Sequence, residues 1–477
     1  MLLPILTFVA ISFIIGIYSA GQIGGKVKNY FVAGNIIPFW VLAMSQTGQA
    51  IEIGGTFNNA YGAFSGGFWA GNIFATGIGI SLILTGIFFA EPLNKMKLLT
   101  LPDFYFRRYD KRVELLVSVL CVLSFATLLA ANVAGVGILF EFIFGWPTLA
   151  SVIGISIIVM VYTMAGGLFA VTWNDILQIG VTIVGFIAAC VFIVAAHDKD
   201  VLTKVLEANF SWEPLYKVEP DKLGPWLTWA QLAALGLGDI VALDFMERVF
   251  AAKTPRAART SCLVAGFITI LVGLTMSVLG MVATLYYSPE VGAKEGPAVI
   301  LQFVQEHLPQ GIAMMVLVGL VGACISTADG VIMSTATVIT RNILQKNFPN
   351  LIPQHKLLFY SRWMCVPVTL LAILFAHVKP NPGDLLVLSF DMVFAGCLVP
   401  LVFGVYWKKG TANAAFYAIV IPSVLRLVLY LVFVVFEKVP LHYAGIDTLI
   451  PPVVSVIVYV SISLIEQRKP QIQAQAA

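Results

Sequence analysis

The chain has 477 residues, of which 59% are hydrophobic and only 11% charged, with a mean hydropathy of +0.92. Soluble proteins carry about a quarter charged residues, and a formal net charge of +3 offers no basic surface for nucleic acid and no acidic one for a basic partner. Composition therefore excludes a soluble domain and points to an all-α polytopic membrane protein, since the ~10-residue alternating strands of a membrane barrel are not visible.

Apolar runs of roughly 20 residues, the length a ~30 Å hydrocarbon core requires, recur along the whole chain. We place thirteen, near 3–21, 38–60, 67–90, 114–141, 147–166, 176–196, 226–246, 260–287, 311–340, 357–378, 384–407, 412–436 and 447–466. The first run has no basic leading region and reads as a retained span, not a cleaved signal peptide. Cys121, Cys190, Cys262, Cys324, Cys365 and Cys397 all fall in such runs without a CxxC pair, and read as small buried hydrophobes. The longest piece outside the spans is 197–225, and no Walker motif points to ATP as an energy source.

Loop charges orient the chain. Nineteen Lys and Arg, among them Lys26, Arg107, Arg248, Arg341, Lys346, Arg468 and Lys469, fall on one set of alternate loops. Seven fall on the other: Lys199, Lys204, Lys217, Lys222, Lys294, Lys379 and Lys438. The positive-inside rule then predicts an outside N-terminus and a cytoplasmic C-terminus in a plasma (inner) membrane. Arg362 and Arg426 remain within spans. Arg362 is near a cytoplasmic end and is expected to snorkel; Arg426 lies deeper, either paired structurally or part of a site.

The stretch 322-GACISTADGVIMSTAT-337 carries Ser326, Thr327, Asp329, Ser334, Thr335 and Thr337 inside an apolar span. At 3.6 residues per turn, Ala323, Ser326 or Thr327, Gly330, Ser334 and Thr337 form one stripe. Such a stripe serves close helix packing, with hydroxyls bonded back to i−4 carbonyls. It also serves a ligand: adjacent Ser326 and Thr327 can converge with the Ala323 carbonyl, and Asp329 needs a partner inside a membrane. Hard oxygens beside a carboxylate suit an alkali cation or a proton.

The other half of such a site is expected on a broken helix, whose freed carbonyls face the ion. The segment 43-AMSQTGQAIEIGGTFNNAYG-62 combines four glycines with Gln46, Gln49, Glu52, Asn58 and Asn59; 232-LAALGLGDIVALDFMERVFAAK-253 combines Gly236 and Gly238 with Asp239 and Asp244. Enzyme chemistry has no foothold, because His197, His307, His355, His377 and His442 are scattered over span edges and loops.

Five segments in order, 94-NKMKLLTLPDFYFRRYDKR-112, 166-GGLFAVTWNDILQIG-180, 247-ERVFAAKTPRAAR-259, 322-GACISTADG-330 and 399-VPLVFGVYWKKGTANAA-415, resemble the sodium:solute symporters. The resemblance implies a single transporter domain over 1–477. A leading helix occupies 1–22 and a LeuT-type five-plus-five inverted-repeat core 37–407. Two C-terminal helices and a short cytoplasmic tail fill 408–477. It implies sodium as coupling ion, no organic cofactor, and a small polar organic solute such as an amino acid, betaine, sugar or carboxylate.

Carried over onto matching positions, the sodium ligands are Ala323, Ser326 and Thr327, with carbonyls of Gln46 and Gln49. A second site of some relatives maps to Asp175 of 173-WND-175, but Asp329 and Gly330 stand where hydroxyls belong. The expectation is that Asp175 and Asp329 bind a second cation or share a proton; the alternative for Asp175 is a helix N-cap. Glu52, Asn58, Asp239 and Asp244 are substrate-binding candidates, which favours a solute with an ammonium or donor face. The alternatives are a proton-coupled transporter of the same fold, and a transport-deficient sensor working through a separate partner.

Overall fold

The computed structural model describes residues 2–219, 223–379, 381–436 and 439–476. Lys222 and Lys438, both in the loop-charge count, lie outside the described residues, as does the side chain of Lys469. Among the described residues the chain is helical, and its only strand-like feature is an isolated bridge between Ile37 and Ala252.

We number the principal helices in chain order. After α1 (Leu2–Ser19), α2 (Phe39–Ala50) stops at Ile51, whose ψ of 67° is no longer helical. A π-turn over Gly54–Asn58 leads into α3 (Asn59–Gly66), so the second predicted span is interrupted in its middle, as its glycines and amides led us to expect. Next come α4 (Phe68–Leu84), the short α5 (Pro102–Arg108) and α6 (Lys111–Phe144). Asp110 caps α6 by accepting from the Val113 N–H at 3.0 Å.

The helical stretch α7 (Thr148–Ala196) covers 49 residues. It holds two predicted spans, separated by a break at Gly167, where φ is 53° and ψ −147°. Only glycine adopts that conformation freely, and an added Cβ would also sit 2.5 Å from the Tyr30 ring. Beyond it, α8 (Pro225–Leu237) and α9 (Leu243–Ala251) flank a hinge over Gly238–Ala242, bent by 43°. Then follow α10 (Pro255–Ala283), α11 (Gln310–Val338), α12 (Leu357–Val378), a second bent pair α13 (Pro382–Gly396) and α14 (Leu398–Tyr406), α15 (Ala412–Tyr430) and α16 (Ile446–Ala476).

Among the described residues nine helices are long and apolar enough to cross a bilayer, or eleven when each bent pair is one span. The thirteen expected spans exceed that number for two reasons. Two apolar runs share α7, and the break after Ala50 leaves α2 and α3 each too short to qualify.

At the centre stands α11. Every residue from Val316 to Val338 is buried, packed against α2, α6, α7, α9 and α12. A helix enclosed on all sides must satisfy its polar groups inside the protein, so the stripe read from sequence faces neighbouring helices everywhere.

Buried ion pairs tie down both ends of the bundle. Arg426 on α15 donates to Asp391 on α13 at 2.6 Å and pairs with Asp447 on α16 at 3.0 Å, which resolves it as a paired residue. Arg362 does not snorkel outward; it is half-buried, donates to the Ala165 carbonyl at 3.1 Å and lies over the Tyr30 ring. At the opposite end, Asp103 on α5 accepts from Arg341 at 3.0 Å, Lys346 at 2.7 Å and Asn342 at 3.1 Å. Lys346 and Asn342 also reach Glu114 on α6. This knot fastens the segment that continues α11 to α5 and α6.

Burial alone would raise the Asp103 carboxyl, but Arg341 and Lys346 beside it hold it below the usual carboxylate value. A depressed folded value contributes stability above the unfolded value near ~3.9 and loses it as pH falls through the folded one. Asp103→Asn is therefore expected to cost about 2 kcal/mol at neutral pH. The deficit should shrink as pH drops below ~4, read as converging melting temperatures of variant and parent. A pH-independent difference would contradict this.

Candidate functional site

The unwound end of α2 meets the middle of α11, and the oxygens predicted from sequence gather there. The Thr327 hydroxyl lies 3.2 Å from the Gln49 carbonyl and 3.4 Å from that of Ala323, within donating distance of both. Gln46, one turn earlier on α2, is buried; its amide nitrogen donates to Cys262 Sγ at 3.2 Å and its amide oxygen has no hydrogen-bond partner.

Ser326 is turned differently from Thr327. Its hydroxyl donates to Asp175 Oδ1 at 2.5 Å, across to α7 rather than back along α11. The Gln49 side-chain amide donates to the same carboxylate oxygen at 3.2 Å and to the Ser326 carbonyl at 2.5 Å. Gly48 makes this approach possible, since a Cβ there would stand 2.6 Å from Ser326 Oγ. Gly330 makes room for the same Gln49 amide, which a Cβ would meet at 2.1 Å.

The second oxygen of Asp175 accepts from Ser45 and, at 3.0 Å, from the Arg248 guanidinium. Arg248 also donates to Ser45 Oγ at 2.8 Å and to the Asp244 carbonyl at 3.0 Å. Both members of the Arg248–Asp175 ion pair have zero side-chain exposure. This corrects the assignment of Arg248 to a cytoplasmic loop. The segment 243-LDFMERVFA-251 carries three charges, so hydropathy ends the span at 246, whereas α9 continues inward and buries all nine residues.

Asp175 and Asp329, expected to share a cation or a proton, face different partners. Asp329 Oδ2 accepts from the Tyr162 hydroxyl at 2.7 Å, while its Oδ1 is buried without a hydrogen-bond partner. Asp175 is not a helix N-cap, because the residue lies in the interior of α7.

The four substrate-binding candidates lie on the two interrupted segments. Glu52 accepts from Asn132 on α6 at 3.2 Å through one oxygen and leaves the other without a partner. Asp239 is buried with Oδ2 unpartnered, and Asp244 Oδ1 accepts from the Phe245 N–H at 2.9 Å. Asn58 instead borders a cavity of about 510 Å³ with Tyr61, Phe74, Ile138, Asn381 and Pro382, and its amide nitrogen has no partner. Sequence reasoning missed Ser45, Asn132, Tyr162 and Arg248, each an ordinary residue by type whose role comes from what faces it. Among the described residues no three His, Cys, Asp or Glu side chains are grouped to hold a metal ion.

The chain is 24% identical over 454 residues to a sodium/glucose cotransporter of Vibrio parahaemolyticus, covering 87% of this chain and 82% of that one. It is 25% identical over 429 residues to the high affinity choline transporter 1 of Mus musculus, covering 86% and 73%. The outward-open structure of a Na+-coupled sialic acid symporter superposes with a TM-score of 0.81 at 14% identity, covering 97% of each chain; this likeness concerns the fold, a LeuT-type helical transporter. These relatives in sequence and structure are transporters, not enzymes. The description of the sodium:solute symporter family matches residues 30–421, and the chain belongs to that family of sodium-coupled membrane transporters.

Proposed function

We propose that the chain imports a small polar organic solute with sodium by alternating access. Sodium is held by the carbonyls of Gln46, Gln49 and Ala323 and the hydroxyls of Ser326 and Thr327. One observation carries this reading: the Thr327 hydroxyl faces the Gln49 and Ala323 carbonyls within 3.4 Å, so three of the five oxygens already converge between two helices. Uncharged hard oxygens, buried and few, match a dehydrated alkali ion better than a divalent one.

Coupling follows from where α2 ends. Sodium bound to the Gln49 carbonyl steadies the break at Ile51, and the same break carries Glu52 and Asn58 toward the solute. Ion and solute then favour the same arrangement, and each raises the affinity for the other by the same factor. With the N-terminus outside and the tail cytoplasmic, a negative interior drives each sodium charge inward by about 2.3 kcal/mol per 100 mV.

For the solute, buried carboxylates with unpartnered oxygens at Glu52 and Asp239 favour a cationic or zwitterionic molecule. Glucose and choline, the solutes in the relatives' names, differ in just this respect, and the carboxylates favour the choline-like side. Asn58 and the 510 Å³ cavity beside it form the approach route. A second reading, coupling to protons, rests on Asp329, whose buried Oδ1 has no partner and would take a proton.

Replacing Ser326 and Thr327 together by Ala should raise the sodium concentration for half-maximal uptake by roughly tenfold or more, about 1.4 kcal/mol per factor of ten. Unchanged sodium dependence in folded protein would refute the ligand set, and uptake that follows pH without sodium would establish the proton reading instead. A thermal-shift screen in sodium should reveal stabilisation by amines or betaines before sugars or carboxylates. Glu52→Gln should abolish that solute effect while leaving the sodium effect; stabilisation by sugars alone, unaffected by Glu52→Gln, would sink the cationic preference.

A further inference from the structure

Asp175 stands next to the proposed sodium ligands and carries a charge, which makes it the natural anchor for a second ion. A carboxylate has about four lone-pair positions. In this chain all four have donors. Ser326 at 2.5 Å and Gln49 at 3.2 Å take Oδ1, while Ser45 and Arg248, the latter at 3.0 Å, take Oδ2. Of the Asp329 oxygens that might complete a second cage, only Oδ1 is without a hydrogen-bond partner. Asp329 Oδ2 accepts from Tyr162, and at Gly330 the space of a side chain is filled by the Gln49 amide.

We infer that Arg248 is a tethered resident cation that closes the Asp175 position to a second free ion, so that the chain binds a single sodium. The inference rests on the sodium site proposed above and concerns its stoichiometry. The guanidinium is fully buried, held by three acceptors on α2, α7 and its own helix, and cannot leave as a free ion does. Its charge satisfies Asp175 permanently. The carboxylate is then left with the task of positioning Ser326. Because the Ser326 proton points to Asp175, the lone pairs of its oxygen stay available to the ion between α2 and α11.

The test is equilibrium binding of radiosodium to the purified full-length protein, with N-methylglucamine chloride keeping ionic strength constant. The wild-type chain is expected to saturate at a single ion, and Thr327→Ala to weaken that ion by roughly tenfold or more. Arg248→Gln frees Asp175 and should add a second ion, which Asp175→Asn in the same chain should remove. Saturation of the wild type at two ions would overturn the inference while leaving sodium coupling intact, and it does not depend on whether Arg248→Gln folds. Absence of any saturable sodium binding would overturn the site itself. A folded Arg248→Gln chain that still binds a single ion would show that something other than the guanidinium closes the position.

Discussion

A carboxylate and a guanidinium, both fully removed from solvent, hold the centre of this molecule together. Asp175 and Arg248 draw Ser45 and Gln49 from α2 and Ser326 from α11 into one network that joins four helices. Buried pairs contribute little net stability over apolar packing, yet removing one partner costs about 3–5 kcal/mol because the other charge is stranded. Such a network specifies an arrangement more than it strengthens it. Here it sets where the broken end of α2 lies against α11, and the proposed sodium site depends on that placement.

The interruptions in α2–α3 and α8–α9 follow the same logic. Inside a bilayer, freed backbone groups are tolerated only where protein or a polar cavity covers them. Both breaks are fully buried: the residues from Gly54 to Asn58 lie against the core, and those from Gly238 to Val241 likewise. Each interrupted segment carries a carboxylate with an unpartnered oxygen, at Glu52 and Asp239.

Ion-pair knots fasten helices together toward the ends of the bundle. Arg426 with Asp391 and Asp447 binds α13 to α15 and α16, and Asp103 with Arg341 and Lys346 binds the extension of α11 to α5 and α6. The two bent pairs, by contrast, carry hinges with backbone angles outside the helical range or a change of helix direction.

Much of this was legible without coordinates. Apolar run length exposed the membrane class, and glycines among amides marked the break near Ile51. The spacing of Ser326 and Thr327 pointed to the oxygens that meet Gln49. These are local properties, written into neighbouring residues by helix periodicity and backbone chemistry. The rest required the tertiary structure. Hydropathy places Arg248 in a loop because it averages three charges over a short window, and it cannot register that Asp175, 73 residues away, neutralises one of them. The partition of Asp175 and Asp329 between Arg248 and Tyr162 was equally invisible, since a carboxylate's role is set by whatever donor the fold brings to it. Sequence alone thus determined the membrane class and the break near Ile51, while it placed thirteen spans where the described residues hold nine to eleven. Only packing decided which charges are already answered, because pairing depends on distances across helices that no run of neighbouring residues encodes.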